Sequence, residues 1–290
     1  MSGGQPFDPE RVLSGESGIV AGRRARARAR LRDLGDDAAA LLTRQSSRVA
    51  RAANRLPRRS VLVLGVYAQD GADSMARALP ELFSTRHDVR FALGALGATE
   101  TKLRTFTVLD GLAGAGKFEN VNRLLATTPR EAADWILVLD DDIELPRGFL
   151  DAFLACAEGF GLQLAQPAHR HTSHAAWSVT RRARWTLARR TRLVEIGPLT
   201  AFHRSVTAEL LPFPGLRMGW GLDAHWGGLA LERGWRLGVI DATPIRHESR
   251  RPAERYERTD AIAEIADFLP GKPHIDRDTA LQVVERLRTI

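Results

Sequence analysis

The sequence predicts an α/β fold in which helices cover both faces of a mostly parallel central sheet, preceded by a basic helical arm. Short apolar runs alternate along the chain with segments of helical spacing, which predicts alternating strands and helices. The central runs are apolar almost throughout, as in strands that are buried on both faces of a parallel sheet. Arginine is concentrated before residue 60, and this concentration predicts the arm.

The excess of positive over negative charge lies entirely in residues 1–60. Residues 1–60 contain 13 arginines and 6 acidic residues, whereas residues 61–290 contain 29 basic and 29 acidic residues. The formal net charge of +7 therefore describes a basic arm on a neutral domain. The arm has no aromatic residues on which bases could stack, so we expect no nucleic-acid partner. A solvated helix face and a peripheral contact with an anionic membrane through residues 21–55 are both open interpretations.

The leading segment divides into a tail and two helices. Residues 1–20 are rich in Gly, Ser and Pro, which predicts a loose tail. From Ala21 to Arg55 the chain consists mainly of Ala, Arg and Leu, which favour helices. Gly35, followed by Asp36 and Asp37, predicts the break between the two helices.

The region after Pro57 supplies the strands and helices of the sheet. Short runs rich in β-branched residues predict strands, and apolar residues at helical spacing predict helices. The predicted strands are Ser60–Tyr67, Val89–Leu93, Arg104–Leu109, Trp135–Leu139, Leu193–Glu195 and Arg236–Ile240. The predicted helices are Ser74–Thr85, Phe118–Ala126, Leu222–Glu232 and those that close the chain after residue 250. We therefore expect a tail and basic arm over 1–58, an α/β domain over 59–250 and C-terminal helices over 251–290.

Several protein classes are excluded by what the sequence lacks. One cysteine, Cys156, excludes an internal disulfide framework and a multi-cysteine metal site, which suits a reducing compartment. No stretch approaches the roughly 18 to 20 consecutive apolar residues of a spanning helix. The start, MSGGQPFDPE, lacks the basic-then-apolar layout of a secretory signal. We expect a soluble, cytoplasmic protein.

Three consecutive aspartates follow the most apolar predicted strand. Asp140, Asp141 and Asp142 come directly after WILVL. Because neighbouring residues of an extended chain point to opposite faces, Asp140 and Asp142 face one way and Asp141 the other. Ligands of parallel sheets bind at the carboxyl ends of the strands, and paired carboxylates suit Mg²⁺ or Mn²⁺. The triplet predicts a metal site, with an acidic cap on a helix starting near Pro146 as the alternative.

A second motif indicates a different chemistry. Residues Gly111–Lys117 (GLAGAGK) follow a strand-like run, precede a helix and match the G-x-x-x-x-G-K phosphate-binding loop. Position 118 is Phe, where that mechanism needs a Ser or Thr hydroxyl for Mg²⁺. A P-loop NTPase or phosphotransferase is therefore an alternative function. In the metal-site interpretation, Lys117 is a cation beside a ligand phosphate or a surface residue at a helix start.

With these motifs in order, the chain resembles the GT-A nucleotide-sugar glycosyltransferases, especially the family-two-like group, over roughly Val61 to Glu248. The resemblance rests on the D-x-D of Asp140 and Asp142 after a buried strand, the later G-W-G-x-D of residues 219–223 and a late histidine, His247. Residues 163–247 are also similar to an uncharacterised GT-A-like family of plants and bacteria. The resemblance implies a Rossmann-like GT-A fold and sugar transfer from a nucleotide-diphosphate donor to an acceptor hydroxyl.

The resemblance also implies roles for the matching residues. Asp140, Asp142 and His247 would hold Mn²⁺ or Mg²⁺ against the donor diphosphate. Asp223 would be the general base, since a sugar hydroxyl is a poor nucleophile and needs a carboxylate to take its proton. Attack from the opposite face of the sugar implies inversion. A favourable position at a helix N-terminus is the structural alternative for Asp223.

Further positions are expected to line the donor and acceptor sides. Trp220 could stack on a sugar ring, and the glycines on either side of it would let the backbone approach the sugar. The expected donor-binding residues are Tyr67, Lys117, Asn120, Asn122, Asp140 and Asp141. The expected acceptor-side residues are His174, Gly219, Trp220 and Gly221.

Two absences narrow the implied function. The chain lacks the Q-x-x-R-W signature of processive polysaccharide synthases and has no predicted spanning helix, so processive export is not expected. The expected acceptor is a sugar or a lipid-linked molecule, reached from the inner face of the membrane if the arm binds there. A non-catalytic nucleotide-sugar-binding protein with the same fold is the remaining alternative.

Overall fold

The computed structural model describes residues 7–14, 20, 22–247 and 258–290. The helices are α1 (Arg23–Leu42), α2 (Gln45–Arg55), α3 (Ala72–Ala78), α4 (Lys117–Thr127), α5 (Phe149–Gly159), α6 (Arg204–Leu210), α7 (Leu222–Arg233), α8 (Arg258–Phe268) and α9 (Arg277–Ala280). The strands are β1 (Ser60–Tyr67), β2 (Asp88–Ala95), β3 (Thr107–Leu109), β4 (Trp135–Leu139), β5 (Ile143–Glu144), β6 (Leu164–His169), β7 (Ala188–Thr191), β8 (Leu199–His203), β9 (Leu237–His247) and β10 (Val283–Leu287).

One sheet runs through the described part of the chain, in the order β10-β7-β9-β6-β8-β4-β1-β2-β3, with β5 paired to β9. Strand β1 pairs in parallel with β2 and β4, and β2 pairs in parallel with β3. The carboxyl ends of these strands therefore meet at one edge. Strand β8 runs antiparallel to both β4 and β6 and links the parallel pair β6 and β9 to this block.

The core lies on both faces of the sheet, as the apolar strands predict. Strand β1 sends Leu62 and Leu64 to one face, where they belong to the same apolar cluster as Phe118 of α4. Val61 and Val63 point to the opposite face and join the cluster that contains α5. Because alternate side chains of one strand enter two cores, every residue of its centre is buried.

The strand predictions succeed where the apolar runs are continuous. Strands β1 and β4 have the predicted bounds, whereas β3 covers only the end of the run predicted over 104–109. The strand predicted over Leu193–Glu195 is wrong, because the strand of this region is β7, which ends at Thr191. The hydroxyl of Thr191 donates to the carbonyl oxygen of Leu193 at 2.8 Å, so a side chain takes the place of a ladder bond there.

The errors in the helix predictions concern mainly where helices end and where one helix gives way to the next. Helices α4 and α7 agree with prediction, but the helix predicted over 74–85 ends as α3 at Ala78 and is followed by a 3₁₀ turn that contains Pro80. The predicted break at Gly35 is also wrong. Helix α1 continues to Leu42, and the chain turns at Arg44, whose φ is +49°.

Both ends of the described chain pack on the domain. Within the predicted tail, Val12 is buried, and the guanidinium of Arg277 donates to the carbonyl oxygen of Leu13 at 2.6 Å, so residues 7–13 are not loose. The prediction of helices alone after residue 250 is wrong, because β10 pairs antiparallel with β7. Predictions for residues 1–6, 15–19, 21 and 248–257 fall outside the described residues. Among the described helices, none combines the length and apolarity needed to cross a membrane.

Candidate active site

The three aspartates lie at the carboxyl end of β4, and their side chains divide as predicted. Asp141 turns toward the loop after β1, where its Oδ2 accepts a hydrogen bond from the backbone N–H of Ala68 at 2.8 Å. A methyl group on Gly71 would lie 1.8 Å from the same oxygen, so a larger residue there would displace this carboxylate. Asp141 therefore holds the β1–α3 loop, and Asp140 and Asp142 face the other side.

Asp140, Asp142 and His247 form a compact trio of potential metal ligands. One ligand atom from each lies within 4.8 Å of the others, and Nε2 of His247 is 3.1 Å from Oδ1 of Asp142. The pairing of β5 with β9 explains the meeting, since Ile143 is opposite His247 in that ladder. The residue that follows the aspartates is thus paired with the last residue of β9.

Lys117 sits beside the trio. Its Nζ is 2.7 Å from Oδ1 of Asp140 and donates to the carbonyl oxygen of Ile196 at 3.0 Å. The P-loop alternative is not favoured, because this ammonium is engaged by Asp140 and Phe118 is buried in the core where a metal-binding hydroxyl would be needed. Lys117 instead offsets the charge of one carboxylate of the trio.

The surroundings shift the pKa values of His174 and His247 in opposite directions. Although burial favours the neutral ring, the carboxylate of Asp142 raises the pKa of His247 above its ordinary value. Burial lowers the pKa of His174 to about 4, and the adjacent His247, with ring centroids 5.4 Å apart, adds to this shift. His174 is therefore neutral at physiological pH. His171, three residues before His174, pairs with Asp36 of α1 at 3.1 Å.

Glu195 is a buried carboxylate behind the histidines, and it is not among the predicted site residues. Its Oε2 is 3.5 Å from Nε2 of His169, and it accepts hydrogen bonds from the hydroxyl of Thr180 and from the backbone N–H of Trp177 at 3.2 Å. Burial alone would favour the neutral acid, but the neighbouring imidazole of His169 and these hydrogen bonds lower the pKa of Glu195. The one feature of the sequence that could have indicated this residue is a single carboxylate inside the apolar run LVEI.

Asp223 lies in the first turn of α7 and is joined to the same network. Its Oδ2 accepts a hydrogen bond from the indole N–H of Trp177 at 3.0 Å, and its Oδ1 accepts from the backbone N–H of Ala224 at 2.9 Å. Burial raises the pKa of Asp223 to about 6, against these two hydrogen bonds, and the negative charge of Glu195 adds to the rise. Asp223 therefore exchanges its proton near neutral pH.

The glycines around Trp220 are required by close contacts and by the backbone. Gly219 and Gly221 have φ angles of +79° and +90°. A methyl group on Gly219 would lie 2.1 Å from the ring of Phe118. The backbone N–H of Gly219 also donates to the carboxylate of Glu264 on α8 at 3.0 Å. Trp220 is half-buried, so part of its ring remains accessible.

Three of the expected donor-binding side chains have partners within the protein. The amide of Asn120 donates to the carbonyl oxygen of Leu112 at 3.1 Å. The amide of Asn122 both donates to and accepts from the backbone of Phe213, at 2.9 and 2.8 Å. The hydroxyl of Tyr67 is 2.9 Å from the hydroxyl of Thr107. These contacts give the three residues structural roles, and contact with a donor stays a prediction for each.

A cavity of about 570 Å³ is lined by His247, one of the three residues of the trio. Its wall includes His247 and Ser173 on one side and Arg30 and Leu34 of α1 on the other. Helix α1 of the predicted arm therefore lines a cavity that reaches His247. Sequence periodicity alone gave no sign of this placement.

Solved structures resemble the chain, although no protein-family model and no curated protein sequence matches it. The mannosyltransferase PcManGT from Pyrobaculum calidifontis, in complex with GDP-Man and Mn²⁺, gives a TM-score of 0.52 at 15% identity, over 88% of this chain and 79% of its own. GalNAc-T7 with UDP, GalNAc and Mn²⁺ gives a TM-score of 0.51 at 13% identity, over 67% of this chain and 44% of its own. The chain has a GT-A fold.

The GT-A fold agrees with the layout of the site. The trio and Lys117 gather at the carboxyl edge of the parallel strands, where ligands of open α/β sheets bind. The match covers less than half of the GalNAc-T7 chain, so the likeness concerns only part of that protein.

Proposed function

We propose that this protein is a metal-dependent glycosyltransferase that transfers a sugar from a nucleotide-diphosphate donor to an acceptor hydroxyl. The observation that carries the proposal is the assembly of Asp140, Asp142 and His247 within 4.8 Å at the carboxyl edge of a GT-A sheet. The two structures of similar fold contain UDP or GDP-Man together with Mn²⁺, which supports the same class of donor and cation here.

The donor atoms of the trio suit a divalent cation. Two carboxylates and an imidazole supply ligands that Mn²⁺ accepts, and Mg²⁺ accepts the oxygens. Nε2 of His247 faces Asp142, and Nδ1 of the same ring is buried and has no hydrogen-bond partner among the described residues. When bound, the cation would offset the charge that builds on the leaving nucleotide diphosphate. The ammonium of Lys117 adds a second positive charge beside Asp140.

Asp223 is the proposed general base. Its carboxylate is oriented by the indole of Trp177, and its pKa of about 6 leaves it ionised, yet able to accept a proton, at neutral pH. Deprotonation of the acceptor hydroxyl by Asp223, with the donor diphosphate held at the trio, corresponds to in-line attack with inversion at the sugar.

The remaining donor contacts are proposed from position. Lys117 would meet the diphosphate through the ammonium that now faces the trio. Tyr67, Asn120, Asn122 and Asp141 would shape the donor cleft through the loops that their side chains hold.

The acceptor side is proposed around the G-W-G segment. The accessible part of Trp220 would stack on a sugar ring, and Gly219 and Gly221 would keep the backbone close to it. His174, neutral and adjacent to His247, would line the same side. A sugar or a lipid-linked molecule is the proposed acceptor, with residues 21–55 in peripheral contact with an anionic membrane.

A panel of UDP- and GDP-sugars, assayed with Mn²⁺ for nucleotide release by transfer or hydrolysis, tests the function. We expect turnover of at least one donor, and its loss in Asp142→Ala and Asp223→Asn. The control Asp134→Asn alters a carboxylate at the opposite end of β4 and should keep turnover. Unchanged turnover in both site variants would reject the assigned roles. Cation-dependent donor binding without product would indicate a binding protein, and ATP hydrolysis that depends on Lys117 would indicate the P-loop function.

A further inference from the structure

Helix α1 packs on the domain through its acidic side chains. Asp33 accepts hydrogen bonds from the backbone N–H of His171 at 2.8 Å and from the hydroxyl of Thr172 at 2.7 Å. Asp36 accepts from the guanidinium of Arg184 at 2.7 Å. Asp37 pairs with the guanidinium groups of residues 170 and 182, at 3.0 and 2.6 Å. The inward face of this helix is therefore acidic.

The opposite face of α1 is apolar and exposed. Leu31, Leu34, Leu41 and Leu42 are 68%, 65%, 78% and 78% exposed. At about 100° per residue, these four leucines and the exposed Ala27 and Ala38 form one stripe along the helix. A helix that served only to cover the domain would turn such a stripe inward. The outward stripe indicates a partner outside this chain.

Arginines border the stripe on both sides. Arg23 and Arg30 lie along one edge, and Arg24 and Arg28 lie along the other. All four are exposed, and none forms an ion pair with a carboxylate of the described residues. We call the stripe with these four arginines the leucine–arginine face of α1. Its partner must accept apolar side chains and supply negative charge around them.

We propose that the leucine–arginine face of α1 binds the surface of an anionic bilayer, with the helix lying parallel to it. Leucines would enter the acyl boundary, and the arginines would meet anionic headgroups. Charge favours this partner over a second copy of the chain. A two-fold contact brings the same patch of both copies together, and this patch contains no carboxylate to pair with its four arginines.

The leucine–arginine face of α1 lies next to the cavity that His247 lines. Leu34 belongs to the stripe and lines the same cavity as His247. The mouth of the cavity would then lie at the bilayer surface, within reach of an acceptor carried at headgroup level. This consequence rests on the proposed sugar transfer, whereas the bilayer contact itself does not require that the protein be a transferase.

Co-sedimentation with vesicles tests the contact. The full chain is mixed with vesicles of phosphatidylcholine alone or of equal parts phosphatidylcholine and phosphatidylglycerol. We expect binding to the anionic vesicles only, weakened by rising NaCl. Leu31→Gln with Leu42→Gln should weaken binding by about tenfold or more, because two side chains no longer enter the acyl boundary. The matched control, Leu231→Gln with Leu281→Gln, changes exposed leucines elsewhere and should bind like the wild type.

A second pair of variants tests the charge. Arg24→Gln with Arg28→Gln should lower binding to anionic vesicles, whereas Arg104→Gln with Arg236→Gln, exposed arginines outside α1, should have a smaller effect. Circular dichroism establishes that each variant is folded. Equal pelleting of the wild type and the α1 variants would overturn the proposal, as would a failure of the wild type to bind anionic vesicles. A dimer that is lost in the leucine variant, without vesicle binding, would assign the face to a second copy instead.

Discussion

The indole N–H of Trp177 donates a hydrogen bond of 3.0 Å to Asp223, the proposed base. The backbone N–H of the same tryptophan donates to Glu195 at 3.2 Å, and Glu195 lies 3.5 Å from His169. One buried tryptophan thus connects the acceptor side of the site with the histidines behind the proposed metal ligands. The orientation of Asp223 depends on this connection.

The pH dependence of transfer should follow Asp223. Burial raises the pKa of this carboxyl to about 6, and only the ionised form can accept a proton. We expect kcat/KM to rise tenfold per pH unit below about 6 and to level off above it. Measurement of kcat/KM from pH 4.5 to 8 checks this. A flat profile across that range would exclude Asp223 as the group whose ionisation limits the rate.

Removal of the indole N–H should act through Asp223. In Trp177→Phe the carboxylate loses a hydrogen bond that favours its charged form, so we expect a lower kcat and a pH profile displaced to higher pH. Trp185→Phe, which changes an exposed tryptophan, is the control. A lower kcat with an unchanged pH profile would mean that Trp177 acts on folding or binding and does not tune the base.

Cation affinity should depend on His247. Titration of Mn²⁺ in the presence of UDP or GDP, followed by electron paramagnetic resonance, should show an affinity about tenfold to a hundredfold lower in His247→Ala. His203→Ala is a suitable control, because His203 pairs with Trp135 at the opposite end of β4. Equal Mn²⁺ affinity in the wild type and His247→Ala would remove His247 from the ligand set.

Close packing of two backbone segments beside Lys117 should make the stability of the fold depend on Gly116. A methyl group at Gly116 would lie 1.9 Å from the carbonyl oxygen of Arg217, so Gly116→Ala should lower the free energy of unfolding by about 1–3 kcal/mol. The matched change Gly215→Ala meets no atom within 4 Å and should be nearly neutral. Denaturant titration of both variants measures the difference. Equal midpoints would mean that the backbone segments at Gly116 and Arg217 can move apart without loss of stability.

The elements that carry the proposed metal ligands could be predicted from the sequence because their signals are local. The apolar runs of β1 and β4 are continuous, and their bounds follow directly from them. The alternation of an extended chain correctly separated Asp141 from Asp140 and Asp142. The resemblance carried by the D-x-D, G-W-G-x-D and histidine motifs then implied the GT-A fold.

The rest of the site depends on contacts between distant parts of the chain. Glu195 is a buried carboxylate because Trp177, Thr180 and His169 surround it. No pattern in the residues next to Glu195 predicts these three contacts. Periodicity in α1 locates a leucine stripe but not its direction. The hydrogen bonds and ion pairs of Asp33, Asp36 and Asp37 with the domain set that direction. These contacts lie on both sides of Gly35, so they also hold α1 helical at that residue.

Isothermal titration calorimetry of nucleotide-sugar binding tests the central claim most directly. UDP- and GDP-sugars are titrated into the wild type and into Asp140→Asn with Asp142→Asn, each with Mn²⁺ or with EDTA. We predict that at least one donor binds the wild type with Mn²⁺, and that binding is lost with EDTA and in the double variant. Donor binding of equal affinity under all four conditions would contradict a cation held by these carboxylates.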